Sequence, residues 1–423
     1  MNILVLSPYP PYPPHGGGTM RIYQLVRGLA ARHAVTCLTF APDEAADRAL
    51  EPLRAVCRVL TVRGPDHRGL ARRAWTTLAS PLPDMALRNA SRAYALALCE
   101  LLASERFDVV QAESIEMAPY LGRARACAGS ARPLLVLDQF NAEYVLQKRA
   151  ALTSLRAALG PPVQHPASHI RNLAGGVYSL AQWSKLAAYE RRVMRAASAV
   201  VAVSEEDVRS LHLLAPEADI GVVPNGVDTA HFCRAALAGE GSARISFDGP
   251  ALVFSGTLDF RPNIDALLWF TSEVLPLIRA RRPDARLVAV GKRPAPALRG
   301  LADRGVLTLT GEVPDARPFI AGAAAYVVPM RIGGGVRLKL LEALSLEAPT
   351  VSTTLGAEGV VGLRGGEHCL LADAPADFAT ATLQLLDDLA LGARLGASGR
   401  ALVGAGYDWS AIVPRLEAIY RRA

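Results

Sequence analysis

PMRIGGGVRLKLLEAL, residues 329–344, is the stretch on which the reading of this chain turns. Gly333, Gly334 and Gly335 let the backbone approach an anion and take positive φ angles. A helix opening after them offers unpaired N–H groups and the positive end of its dipole. At 100° per residue Gly335, Lys339 and Glu342 fall on one face of that helix, with Leu340, Leu341 and Leu344 on the other. A cation and a carboxylate can then share one site: Lys339 to neutralise a diphosphate, Glu342 to accept hydrogen bonds from a pair of ribose hydroxyls. Taken alone, the same residues also fit an ordinary strand-to-helix turn with a solvated Lys–Glu pair.

Working outward, short apolar runs alternate with helical stretches along the whole chain. NILVLS, AVTCLTF, DVVQA, LLVLD and AVVAVS lie in the first half, and IGVVP, ALVFSG, RLVAVG, VLTLTG, AYVVP and PTVST in the second. This is the pattern of βα units, and continuous Val/Ile/Leu runs belong to parallel strands buried on both faces. The expected fold is α/β, with two facing Rossmann-like domains, parallel sheets and an interdomain cleft. Gly16, Gly17 and Gly18, before a helix bearing Arg21, repeat in the first half what the triplet at Gly333 does in the second. The turn signal Pro224-Asn225-Gly226 sets the boundary. The expected domains are 1–221 and 222–409, with a helix over 410–423 packing back on the first after a break at GYDW. Residues 151–184, which contain Gly160-Pro161-Pro162 and His165-Pro166, read as a loop or short helices at the cleft mouth.

The chain has 423 residues, half of them apolar, and a formal charge of +7. That length suits two domains, and the modest basic excess suits anionic nucleotides or lipid without indicating nucleic acid. Cys37, Cys57, Cys99, Cys127, Cys233 and Cys369 are scattered with no CxxC pair, which argues against a zinc site or a disulfide framework and fits a reducing cytoplasm. The N-terminal apolar run is stopped by prolines, so it reads as a first strand and not as a signal peptide. No stretch reaches the roughly 18–20 apolar residues of a membrane span. In HRGLARRAWTTLASPLP, residues 67–83, Arg68, Arg72 and Arg73 mix with Leu70 and Trp75. Such a helix can lie on anionic lipid, or be solvated with Trp75 packed inward.

Four stretches carry a family resemblance: VVPNGVD, FSGTLDFRPNIDALLWF with VLPLIRARRPDARLVAVG, LTGEVPDARPFIAGAAAYVVPMRIGGGVRLKLLEALSLEAPTVSTTLGAEGV, and the late YDW. They resemble the retaining, nucleotide-sugar-dependent glycosyltransferases of family 4, with the two-domain GT-B fold, and the N-terminal strand and glycine loop resemble the same group. The resemblance implies that Glu342 is the second glutamate of a paired motif that holds the donor ribose. It implies that Gly333, Gly334 and Gly335 lie against the donor sugar and diphosphate, that Gly311 and Val313 lie near the base, and that Gly17 and Gly18 approach the diphosphate from the first domain. Gly256, Arg337 and Glu358 join the donor-binding candidates. The chain also departs from the pattern. Gly334 stands where the first glutamate belongs, Thr257 and Asn263 stand where many members have an arginine and a lysine, and Phe140 stands where relatives often have a histidine. Lys339, with Arg337 or Arg261, is then the source of positive charge, and Asp138, Asn141 and Glu143 are the polar candidates on the acceptor side.

The implied reaction moves a sugar from a nucleoside-diphosphate sugar to an acceptor hydroxyl with retention, the leaving phosphate taking the acceptor proton. Lys339 and Glu342 are its central residues. No metal or other cofactor is expected, since the lysine and helix dipole can carry the counter-charge. The implied partners are the donor and a lipid-linked or saccharide acceptor, in polysaccharide or glycolipid synthesis on the cytoplasmic side, at the inner face of an anionic membrane. The competing readings are a catalytically weakened subunit that binds sugar nucleotide and supports another transferase, and a nucleotide-sugar epimerase or hydrolase on the same fold. A dinucleotide-dependent oxidoreductase is disfavoured, because HGGGTMR lacks G-x-G-x-x-G spacing and no acidic residue ends the next strand.

Overall fold

The computed structural model describes residues 1–14, 16–65, 68–159, 166–237, 245, 247–333 and 335–422. The chain forms two compact units, Met1–Pro224 with Val413–Ala423, and Asn225–Ile412. Each is built on one parallel sheet with helices about it, an α/β architecture.

In the first unit the strands are β1 (Asn2–Ser7), β2 (Ala34–Ala41), β3 (Arg58–Arg63), β4 (Val109–Glu113), β5 (Leu134–Gln139), β6 (Ala199–Ala202) and β7 (Ile220–Val222). Their order is β3-β2-β1-β4-β5-β6-β7. In the second unit β8 (Ala251–Ser255), β9 (Arg286–Val290), β10 (Thr308–Leu309), β11 (Ala325–Val328), β12 (Thr350–Ser352) and β13 (Leu370–Leu371) run in the order β10-β9-β8-β11-β12-β13. Central strands are buried on both faces, Ile3 to Ser7 on β1 and all of β8, which explains their unbroken apolar runs. In each sheet the chain first builds outward from the central strand, then crosses to its other side. This places a topological switch point between β1 and β4 and another between β8 and β11, beside which ligands bind in open α/β sheets.

The helices that matter below are α1 (Gly17–Ala30), α2 (Leu70–Ala79), α3 (Arg92–Ser104), α4 (Ala118–Cys127), α5 (Glu143–Leu159), α6 (Pro166–Ala196), α7 (Arg261–Trp269), α8 (Leu338–Ser345) and α9 (Trp409–Arg422). Several differ from expectation. Much of the 151–184 stretch belongs to α5 and α6 instead of a loop or short helices: its Ala/Leu-rich flanks are good helix formers, and the Gly-Pro-Pro signal itself lies outside the described residues. IGVVP supplies β7, which pairs with β6 and so closes the first sheet, not the second. Strand β3, RVLTVR, escaped the apolar-run criterion because it is an edge strand with its arginines exposed. Strand β13 escaped because it has two residues. Cys99 and Cys127 are disulfide-bonded with their Cα atoms 5.2 Å apart, which corrects the expectation of unpaired cysteines. The bond joins α3 to α4, packed neighbours that sequence spacing does not reveal.

The first unit is held at its centre by Arg21 of α1. Its Nε and Nη2 donate to Asp138 Oδ2 and Oδ1, both at 2.8 Å, and its Nη1 donates to the carbonyl of Val223 at 2.9 Å. Arg21 and Asp138 are fully buried, so one ion pair ties α1 to the end of β5 and to the chain leaving β7. Beside it, burial and then Asp138 push the Glu113 carboxyl well above the ordinary range, and Gln111 Nε2 donates to Glu113 Oε1 at 2.6 Å. From Val413 onward α9 packs in this unit: Tyr420 donates to Gln111 at 2.5 Å, and Glu417 meets His33 at 3.0 Å. Removing one partner of a buried, bidentate pair strands the other charge. Arg21→Met is therefore expected to cost the first unit about 3–5 kcal/mol, read as a lower urea midpoint for its unfolding transition; an unchanged midpoint would show that the pair contributes nothing net.

Candidate functional site

Strand β8 ends at Ser255, and the chain turns at Gly256, whose φ of +143° is open to glycine. A Cβ there would lie 2.9 Å from both Lys339 Nζ and Asn263 Nδ2, so the lysine packs against bare backbone. The Lys339 amine stands 3.8 Å from the centroid of the Phe254 ring and donates to Asn263 Oδ1 at 2.8 Å. Ser255 and Tyr326 hydroxyls, on β8 and β11, hydrogen-bond at 2.6 Å and lock the two strands beneath this site. The site therefore sits at the switch point of the second sheet.

The glycine loop differs in detail from the sequence reading. α8 begins at Leu338 with Arg337 at its N-cap, and Gly333 and Gly335 precede it with φ of +119° and +74°. These angles are not helical, so Gly335 lies in the loop and does not share the helix face of Lys339 and Glu342. Gly334 lies outside the described residues. Leu340, Leu341 and Leu344 are fully buried on the opposite face and anchor the helix. Burial lowers the pKa of the Arg337 guanidinium, and Glu358, at the end of the helix Thr354–Ala357, opposes that shift in part; the carboxylate and the loop cation are thus neighbours. Arg261 is exposed at the start of α7. Gly311 (φ +72°) and Val313 follow β10, the edge strand two places from β8.

Burial pulls the Lys339 ammonium down to about 7, with Glu342 opposing the shift and Arg337 adding to it. Burial pushes the Glu342 carboxyl up to about 7, with Lys339 opposing. Both side chains are half-buried, and the Lys339 amine lies against Asn263 and Phe254. Near neutral pH the pair is poised, and a bound anion would draw a proton onto Lys339.

In the first unit Gly17 and Gly18 form the opening turn of α1 itself, with Gly16 as its N-cap. A Cβ on Gly18 would clash with the Tyr9 hydroxyl and lie 3.2 Å from the Phe140 ring. Of the acceptor-side trio, Asp138 has both carboxylate oxygens on Arg21, which commits it to structure. Asn141 Nδ2 donates to Glu143 Oε1 at 3.1 Å, and burial raises the Glu143 carboxyl. Glu116, held by Arg88 at 2.7 Å and Asn89 at 3.2 Å, is close enough to Glu143 to raise it further, and sequence reading did not single it out. Phe254, Ser255 and Tyr326 were missed as well, because as strand residues they carry only the signal of a core. On α2, Trp75 is 69% exposed instead of packed inward, but Arg68 and Arg73 both pair with Asp84, at 3.0 and 3.3 Å. Two of the three arginines of that segment thus share one carboxylate, which offsets part of their charge. Among the described residues no helix is long and apolar enough to cross a membrane, and no group of three or more His, Cys, Asp or Glu converges as a metal site.

Residues 15–231 match the sequence model of Glycosyltransferase Family 4, and residues 249–388 match that of Glycosyl transferases group 1. The chain belongs to glycosyltransferase family 4. Within the family, a phosphatidyl-myo-inositol mannosyltransferase of Mycobacterium tuberculosis is 33% identical over 209 residues, 47% of this chain and 53% of the relative. A GDP-mannose-dependent monoacylated alpha-(1-6)-phosphatidylinositol monomannoside mannosyltransferase of Corynebacterium glutamicum is 29% identical over 216 residues, 47% of this chain and 55% of the relative. The matches thus span about half the length of these curated relatives. Anabaena Alr3699/HepE, solved in complex with UDP and glucose, superposes with a TM-score of 0.64 at 14% identity, covering all of both chains. That likeness shows the fold, the GT-B type.

Lys339→Met removes a cation whose burial is unfavourable and fills its place with an apolar chain. It is expected to leave the melting temperature unchanged or higher while weakening nucleotide-sugar binding at least ~10-fold, measured by thermal unfolding and calorimetric titration. A large drop in melting temperature would make Lys339 structural.

Proposed function

We propose that this family 4 protein transfers a sugar from a nucleoside-diphosphate sugar to an acceptor hydroxyl with retention of anomeric configuration. The observation that carries this is the Lys339 amine packed against the bare backbone of Gly256 at the β8/β11 switch point, with the Glu342 carboxyl on the same helix close enough to act on its charge. Lys339 and the N-terminal N–H groups of α8 face the charge that develops on the departing diphosphate, a contribution of about 3–4 kcal/mol for one well-placed donor. These groups can carry that charge without a metal. Glu342 takes the ribose hydroxyls. Gly311, Val313, Arg337 and Glu358 complete the donor side in this reading, and Gly17 and Gly18 serve from the first unit. With Asp138 held by Arg21, the acceptor side falls to Asn141 and Glu143, and the leaving phosphate takes the acceptor proton.

The mannosyltransferase relatives make GDP-mannose the first donor to try, and their phosphatidylinositol names point to a glycolipid acceptor. Synthesis at the inner face of the membrane suits such an acceptor, and exposed Trp75 supports it. A second reading, a subunit that binds sugar nucleotide without turning it over, is favoured by Gly334 and Phe140 at positions where the family pattern has polar residues.

GDP-mannose, UDP-glucose and ADP-glucose should be titrated onto the protein and their hydrolysis followed with and without lipid extract, alongside Glu342→Ala. One donor is expected to bind and turn over, with kcat/KM falling about 10–100-fold in the variant, or about 1.4–2.7 kcal/mol. Proton NMR of the product anomer tests retention. Binding without sugar release, even with lipid present, would give the second reading the lead; no binding would remove the donor site.

A further inference from the structure

Asn263 on α7 is buried, with both ends of its amide engaged. Its Nδ2 donates to the Thr257 carbonyl at 2.8 Å, and its Oδ1 accepts from Lys339 Nζ at 2.8 Å. The two ends of an amide are told apart by their partners, and a carbonyl can only accept, so the Thr257 bond turns the Asn263 oxygen toward the lysine. The amine is thus held from three sides by groups without charge: the amide oxygen, the face of Phe254 and the bare Cα of Gly256. The charged groups bearing on it, Glu342 and Arg337, belong to α8 and its N-cap, and Tyr326 of β11 lies near Glu342. From β8 and α7 the amine meets Phe254 and Asn263, neither of which titrates.

We infer that Asn263 is a positioning residue for the donor: it holds the Lys339 amine where the diphosphate arrives and sets how readily that amine keeps its proton. The inference rests on the donor-site reading above and deepens it. An amide oxygen stabilises an ammonium more than a neutral amine, as does an aromatic face, and both oppose the cost of burial. Because the protonated lysine is the form that attracts a diphosphate, donor affinity is held below the lysine pKa and lost as pH rises through it.

The test uses the full chain and titrates GDP-mannose, UDP-glucose and ADP-glucose from about pH 6 to 9, a window in which a diphosphate diester has no titrating group of its own. Asn263→Ala removes the acceptor and is expected to move the midpoint of the pH dependence down by about one unit, weakening binding about 10-fold on its alkaline side. Asn263→Asp keeps the oxygen and adds charge, so the midpoint should move up, even if repulsion of the diphosphate lowers affinity throughout. A purely structural role would not shift the midpoint in opposite directions. Thermal unfolding checks that each variant is folded, and the near-isosteric Asn263→Asp decides the matter if Asn263→Ala does not fold. Wild-type midpoints in the folded variants would overturn the inference alone. Failure of the wild type to bind any of the three sugars would instead overturn the donor-site reading beneath it.

Discussion

Parallel pairing forces every strand of a sheet to end at the same edge, and the rest of this molecule's chemistry depends on that constraint. Where the chain leaves the central strand to one side and later returns on the other, two loops diverge and backbone is left uncovered at the carboxyl edge. In the second unit the strands concerned are β8 and β11, and the elements that follow them supply Gly256, Asn263 and Lys339. In the first unit they are β1 and β4, with Gly18 packed under Tyr9 and Phe140. The same topology has been used twice, with different side chains at the edge.

Two cations, one fully buried and one half-buried, show what those side chains decide. Arg21 has a geometrically matched carboxylate and backbone carbonyls as well, so its charge is satisfied and its place is structural. Lys339 meets an amide oxygen and a ring, and the carboxyl that bears on it, on Glu342, is itself driven toward the neutral form by burial. A charge left partly compensated costs stability while the site is empty, and an arriving anion reduces that cost. The difference between these two cations lies in how completely the surroundings answer the charge.

Much of the architecture is legible from apolar runs because strands buried on both faces have no other composition available to them. The elements that escaped are those to which this rule does not apply: β3 with its exposed arginines, the two-residue β13, and β7, whose run is visible but whose sheet is not. Helices α5 and α6 were obscured by a few Gly and Pro residues between long helix-forming flanks. The Cys99–Cys127 bond depends on α3 and α4 being packed together, a fact of tertiary structure.

The sequence by itself determined the α/β class, the glycine loops and the candidacy of Lys339 and Glu342, because periodicity and residue chemistry act over a few neighbours along the chain. Tertiary structure alone decided that Gly335 stands outside the helix, that Asp138 belongs to Arg21, and that Asn263 and Phe254 surround the Lys339 amine. Those relations join residues far apart in the chain, and they come into being only when the parallel sheets bring their carboxyl ends to one edge.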